Sequence, residues 1–114
     1  MTPEELYHNL RAIQEPKGYF FNRDMDMTMD LLRSLIINKE RFGYMACPCR
    51  LACGVYEQDK DIICPCVYRE PDVAEYGSCF CGLYVSRAWN EGRIEHVHVP
   101  ERRDPKKVIN ALGL

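Results

Sequence analysis

The sequence predicts a small, mainly α domain with short strands, in which helices surround a cysteine-rich centre. Three observations lead to this fold class. The chain has 114 residues, a length that suits a single domain over residues 1–114. Residues 1–43 carry two apolar patterns with helical spacing. All seven cysteines lie between Cys47 and Cys81, where that spacing is absent.

The first helix is predicted to begin at Pro3 and to end before residues 16–18. Thr2 can cap it, and proline suits the first helical position. Pro16 and Gly18 are typical of a helix end. Three apolar residues recur along one face and should be buried: Leu6, Leu10 and Ile13.

The second helix is predicted to begin near Asp24 or Asp26, whose carboxylates suit a helix N-terminus. Gly43 marks its end. Its apolar stripe should pack in the core, with methionine filling irregular gaps. The stripe contains Met25, Met29, Leu32 and Ile36.

The remaining elements are predicted to be short. Residues 71–76 should form a helix, with Pro71 in its first turn and Gly77 beyond its end. Residues 61–63 suit a brief strand or a helix start, and residues 83–85 suit a strand. A strand near the C-terminus would place His96 and His98 on one face, most simply as surface imidazoles.

Charge and hydropathy exclude two classes of partner. The net charge is −2, which is not the electrostatic footprint of a nucleic-acid-binding protein. The apolar runs are too short for a helix that crosses a bilayer. Residues 1–20 lack the basic and apolar pattern of a signal peptide. We therefore expect a cytoplasmic protein that binds neither nucleic acid nor membranes.

The cysteines form three C-x-C pairs and one extra residue, Cys53. In an extended segment, residues i and i+2 point to the same side, so each pair can direct two sulfurs at one object. Proline inside the first two pairs stiffens them. An odd number of cysteines in a reducing compartment favours metal binding or redox chemistry over a structural disulfide framework.

An iron–sulfur cluster suits these thiols better than zinc does. A cubane cluster takes four cysteines, which leaves two of the paired cysteines for a disulfide beside it. Structural zinc sites commonly use C-x₂₋₄-C spacing, which the three pairs lack. Two alternatives stay open: a zinc-stabilised interaction module, and a simple iron–sulfur electron carrier without a working disulfide.

The motifs resemble those of the ferredoxin:thioredoxin reductase catalytic (beta) chain family, which carries a CPC…CPC…CHC pattern. The resemblance covers about residues 20–86. The matching segments are Cys47-Pro48-Cys49-Arg50, Cys64-Pro65-Cys66 with Tyr68-Arg69 after it, Cys79-Phe80-Cys81, and the preceding Phe42-Gly43-Tyr44.

The resemblance implies an oxidoreductase whose helices and cysteine loops are organised around a [4Fe–4S] cluster. It implies four cluster ligands: Cys47, Cys64, Cys66 and Cys79. It implies a redox-active disulfide between Cys49 and Cys81. Ferredoxin or a similar one-electron donor would reduce the site, and Cys49 would attack the disulfide of a thioredoxin-like protein while Cys81 stays associated with the cluster. A second subunit is compatible with this scheme.

The sequence departs from the family pattern at several positions. Phe80 stands where the family has a histidine, so the residue that handles protons is not identified. The gaps between pairs differ in length, and Cys53 is extra, most simply as a small buried hydrophobe. Arg50 and Arg69 each follow a CPC motif. They could stabilise a thiolate or an anionic cluster, or pair with acidic residues of the middle region.

Overall fold

The computed structural model describes residues 1–113. Within them the chain forms six α-helices, two short 3₁₀-helices and one two-stranded sheet. The helices are α1 (Pro3–Gln14), α2 (Met25–Phe42), α3 (Tyr56–Asp59), α4 (Arg69–Tyr76), α5 (Arg87–Asn90) and α6 (Pro105–Ala111). The 3₁₀-helices span Glu15–Lys17 and Lys60–Ile62, and the strands are β1 (Phe20–Phe21) and β2 (Tyr84–Val85). The prediction of a small, mainly helical protein with short strands is confirmed.

Helix α1 begins as the sequence predicts. The Thr2 hydroxyl accepts a hydrogen bond from the backbone N–H of Glu5 at 3.1 Å, which satisfies one of the free donors of the first turn. Leu6 is buried, but Ile13 is 53% exposed, so its predicted place in the core is wrong. Gln14 is buried instead and accepts a hydrogen bond from the Arg69 side chain at 2.7 Å.

Helix α2 is capped at both ends by the predicted residues. The Asp24 carboxylate accepts a hydrogen bond from the backbone N–H of Met27. Gly43 adopts a left-handed conformation with φ 86° and ends the helix, a conformation that glycine adopts without a side-chain penalty. Leu32 is fully buried, whereas Met25 is 41% exposed because it lies in the first turn, outside the core.

The two-stranded sheet joins the N-terminal helices to the third cysteine pair. Phe20 pairs with Val85 and Phe21 with Tyr84 in antiparallel register. The strand predicted at residues 83–85 is confirmed, and its partner β1 was not predicted. The core that forms around the sheet contains Leu6, Phe21, Leu32, Leu35, Cys79, Leu83 and Tyr84. A cysteine of the third pair is therefore part of the hydrophobic core.

The short helix predicted at residues 71–76 is present as α4 and begins two residues earlier. Residues 61–63 end a 3₁₀-helix and then form one bridge between Ile63 and Ala46. The strand predicted around His96 and His98 is wrong, because residues 94–100 have no regular secondary structure. His96 instead stacks on Trp89 with ring centroids 3.6 Å apart. Among the described residues, no helix combines the length and apolar character that crossing a membrane requires.

Arg103 anchors the C-terminal segment to the cysteine region. Its side chain is almost fully buried and donates to the Asp61 carboxylate at 3.0 Å and to the carbonyl oxygen of Gln58 at 3.1 Å. Burial alone would raise the pKa of the Asp61 carboxyl, but hydrogen bonds from Tyr68 and Arg103 hold that pKa below its usual range. Asp61 is therefore a buried carboxylate that depends on its partners.

Replacing Arg103 with methionine should lower the free energy of unfolding by about 3 kcal/mol, because the Asp61 carboxylate stays buried without its main cation. Urea unfolding of the purified protein measures the change. Arg93→Met is the matched control, since Arg93 pairs with Glu91 in an exposed ion pair and should show no measurable change. Equal effects of the two substitutions would contradict the anchoring role of Arg103.

Candidate functional site

One pocket gathers five of the six paired cysteines. Arginine and aromatic side chains complete its wall, among them Arg50, Arg69, Phe80 and Tyr84. The five cysteines that line it are Cys47, Cys64, Cys66, Cys79 and Cys81. Residues far apart in sequence therefore line one common space, with both cysteines of the second and third pairs but only Cys47 of the first.

Backbone hydrogen bonds bring the first two cysteine pairs together. The N–H of Cys47 donates to the carbonyl oxygen of Ile62, and the N–H of Cys64 donates to that of Met45, both at 2.8 Å. These bonds flank the bridge between Ala46 and Ile63. The backbone of the first cysteine in each CPC motif is thus held by main-chain hydrogen bonds.

A tight turn places the third pair. The N–H of Cys79 donates to the carbonyl oxygen of Tyr84 at 2.9 Å, and the N–H of Gly82 donates to that of Cys79 at 3.0 Å. Gly82 has a φ of 78°, and a side chain there would meet the methyl group of Met27 at 2.7 Å. The turn brings the Sγ atoms of Cys79 and Cys81 to 3.8 Å from each other.

Cys49 differs from the other paired cysteines in its exposure. It lies at the surface, while Cys47 and Cys79 are buried. The thiols of Cys47 and Cys81 nevertheless interact with Cys49 and lower its pKa. Among the paired cysteines, Cys49 is therefore the one that a protein partner can reach from the surface.

The pKa values of the thiols differ from one position to the next. Burial raises the pKa of the Cys64 thiol well above its ordinary value, and the neighbouring Cys47 and Cys79 raise it further. Cys79 is buried too, but its interactions with the Cys81 thiol and with the backbone N–H of Tyr84 lower its pKa to about 7. Interactions with Cys47 and Cys81 hold the pKa of Cys49 well below its usual range. Burial alone therefore does not set the protonation of these thiols.

Two arginines bring positive charge to the pocket wall. Arg50 donates a hydrogen bond to Cys66 Sγ at 3.4 Å and also pairs with Glu101 at 2.9 Å. The partner of Arg50 is thus a carboxylate of the C-terminal segment and not one of the acidic middle region, as the sequence had suggested. Arg69 lies over the ring of Tyr19, with its Cζ atom 3.7 Å from the centroid.

Several residues singled out in the sequence lie elsewhere. Cys53 is half-buried rather than fully buried, and its sulfur contacts side-chain oxygens of Gln58 and Asp59, both at 3.3 Å. His96 contacts the carbonyl oxygen of Trp89 through Nε2 and is not among the residues that line the cysteine pocket. Within residues 1–113, no three histidine, cysteine or carboxylate side chains converge as they would on a single metal ion.

Sequence reasoning missed two residues of the site. Tyr84 lines the pocket, and Glu101 holds Arg50. The strand predicted at residues 83–85 was a signal for Tyr84, because that strand follows the third pair directly. No local pattern identifies Glu101, which lies 51 residues from Arg50.

A comparison with known protein families agrees with this geometry. The model of the ferredoxin thioredoxin reductase catalytic beta chain family matches residues 3–102. The chain belongs to this family. The match includes all three C-x-C pairs and ends before α6, and the resemblance inferred from the motifs is confirmed. Among curated proteins, none matches the chain.

The ferredoxin thioredoxin reductase family suggests what class of chemistry the pocket serves. Its catalytic chain belongs to an oxidoreductase, and its name implies ferredoxin and thioredoxin as partners and a catalytic chain within a two-subunit enzyme. The family is known for an iron–sulfur centre. A ferredoxin-linked disulfide reductase is therefore the activity that family membership suggests.

The residues of the pocket fit an iron–sulfur group. Cysteine thiolates are the ligands that such clusters take, and five of them line one space. The Tyr84 hydroxyl on the same wall is buried and has no hydrogen-bond partner within the described part of the chain. A buried hydroxyl without a partner calls for one, and the sulfur atoms of a bound cluster or its ligands would be acceptors.

Proposed function

We propose that this chain is an iron–sulfur disulfide reductase that takes single electrons from ferredoxin and reduces a disulfide of a thioredoxin-like protein. One observation carries the proposal. Five of the six paired cysteines line one pocket, while the sixth, Cys49, lies at the surface two residues from Cys47 of that pocket. This arrangement separates a buried metal site from an accessible thiol. Such a separation is what electron delivery to an external disulfide requires.

The proposed ligands of a [4Fe–4S] cluster are Cys47, Cys64, Cys66 and Cys79. When bound, the cluster supplies one-electron transfer between the donor and the thiols. The protein contributes the rigid main-chain bonds that hold Cys47 and Cys64. It also contributes the positive charges of Arg50 and Arg69 on the pocket wall, which offset the negative charge of the thiolates.

The proposed redox pair is Cys49 and Cys81. Two electrons and two protons convert their disulfide to two thiols. The Cys49 thiolate then attacks the substrate disulfide, forms a bond to one substrate sulfur and releases the other as a thiolate that takes a proton. Attack by Cys81 on the Cys49 sulfur re-forms the internal disulfide and releases the second substrate thiol. The two thiols act on each other's pKa, lowering that of Cys49 and raising that of Cys81, which supports this pairing.

The exposure of Cys49 supports a protein-sized substrate, because a disulfide on another protein can reach only a thiol at the surface. The proposed setting is the cytoplasm, where thiols stay reduced, and a second subunit is part of the proposal because the family name implies one.

Replacing Cys49 with serine should abolish disulfide reduction, with a loss of at least about 100-fold, because serine is not a nucleophile for disulfide exchange. The iron and sulfide content should stay unchanged, since Cys49 is not a proposed ligand. The measurement is reduction of a thioredoxin-type disulfide by reduced ferredoxin, followed by thiol quantification.

Cys53→Ser serves as the matched control. Cys53 lies outside the lining of the pocket, so this variant should keep both its cluster and its activity. Full activity in Cys49→Ser would contradict the assignment of the nucleophile, and loss of activity in Cys53→Ser would show that the extra cysteine takes part.

Replacing Cys64 with serine should remove the cluster and lower the stability of the fold together, because Cys64 is a proposed ligand and metal binding contributes to folding. Iron and sulfide analysis, together with circular dichroism during heating, measures both effects. A Cys64→Ser protein with the cluster content and melting temperature of the wild type would overturn the proposed ligand set.

A further inference from the structure

Arg50 is a buried cation in the middle of the cysteine region. Its side chain is 1% exposed, although an arginine removed from water is costly unless every part of its charge is compensated. Its position directly after the first CPC motif places its backbone next to Cys49. The contacts of its guanidinium group therefore show what the buried charge does.

The edge of the guanidinium group that carries Nε and Nη2 faces Glu101. Nε donates to both carboxylate oxygens, at 2.9 and 3.1 Å, and Nη2 donates to one of them at 2.9 Å. A bidentate ion pair of this kind fixes the orientation of both the guanidinium and the carboxylate group. The Glu101 carboxylate also accepts a hydrogen bond from the backbone N–H of Arg103 at 2.8 Å, and Arg103 is anchored by Asp61.

The remaining nitrogen of the guanidinium group, Nη1, faces a sulfur atom. Nη1 donates to Cys66 Sγ at 3.4 Å. The rings of Phe80 and Tyr68 lie 4.5 and 4.9 Å from Arg50 Cζ, so the group is held by aromatic contacts as well. The ion pair with Glu101, the aromatic contacts and the hydrogen bond to Cys66 together hold the guanidinium group with Nη1 toward the sulfur.

We propose that Arg50, held in place by Glu101, sets the reduction potential of the site through its hydrogen bond to the Cys66 sulfur. A donor and a positive charge at a ligand sulfur stabilise the more negative, reduced state of an iron–sulfur group. Glu101 is a positioning residue, because it acts through Arg50. This inference rests on the proposed function, since it requires a cluster on Cys66.

Replacing Arg50 with glutamine should make one-electron reduction of the site less favourable by about tenfold, which corresponds to a potential about 59 mV lower for a one-electron couple. Arg50→Lys keeps the charge without the rigid fork and should give a smaller shift. The measurement is a redox titration of the anaerobic, cluster-loaded protein, after its iron and sulfide content has been determined. Arg93→Gln, which removes an exposed positive charge, should leave the potential unchanged.

Glu101→Gln tests the positioning role. It should lower the potential in the wild-type background and cause no further shift in the Arg50→Gln background, because Glu101 acts through Arg50. An equal shift in both backgrounds, or a rise in the wild-type background, would overturn that role. If Arg50→Gln does not retain iron, Arg50→Lys and Glu101→Gln carry the test, and wild-type potentials in both would overturn the inference.

The failure of the proposed function has a different signature. A wild-type protein without iron and labile sulfide would overturn the proposed function and this inference together. A wild-type protein with a normal cluster, and with a potential that the Arg50 and Glu101 substitutions do not change, would overturn only the inference.

Discussion

The site depends on the main-chain pairing between residues 45–47 and residues 62–64. The hydrogen bonds of Cys47 to Ile62 and of Cys64 to Met45 join two CPC motifs that are separated by α3 and a 3₁₀-helix. Each motif contains a proline that restricts its backbone, so these bonds hold the two motifs side by side. The pairing brings Cys47, Cys64 and Cys66 to the same pocket.

The rest of the protein supports this pair of segments from two directions. The sheet formed by β1 and β2 brings the third pair against the core, where Cys79 packs beside Leu83. The C-terminal segment reaches the same region through buried ion pairs of Arg50 with Glu101 and of Arg103 with Asp61. The cysteine pocket therefore lies between a hydrophobic core and a network of charged contacts.

The parts that could be predicted are those whose signals are local. Thr2 and Gly43 cap their helices as predicted because capping depends on a few adjacent residues. The C-x-C spacing pointed to the cysteines as one cluster, and five of them line one pocket. The missed parts depend on contacts between distant residues. The pairing of two-residue strands and the contact of Arg50 with Glu101 leave no periodic pattern. The exposed Ile13 was misassigned because its helix ends one residue later, where Gln14 binds Arg69.

The proposed function requires the paired cysteines to hold an iron–sulfur cluster rather than a single metal ion. The content of iron, zinc and acid-labile sulfide in anaerobically purified protein distinguishes the two. A cubane cluster on four cysteines should give about four irons and four sulfides per chain with negligible zinc. About one zinc per chain without sulfide would fit a structural zinc site and would overturn the proposed function, because the proposed disulfide would then have no route for electrons.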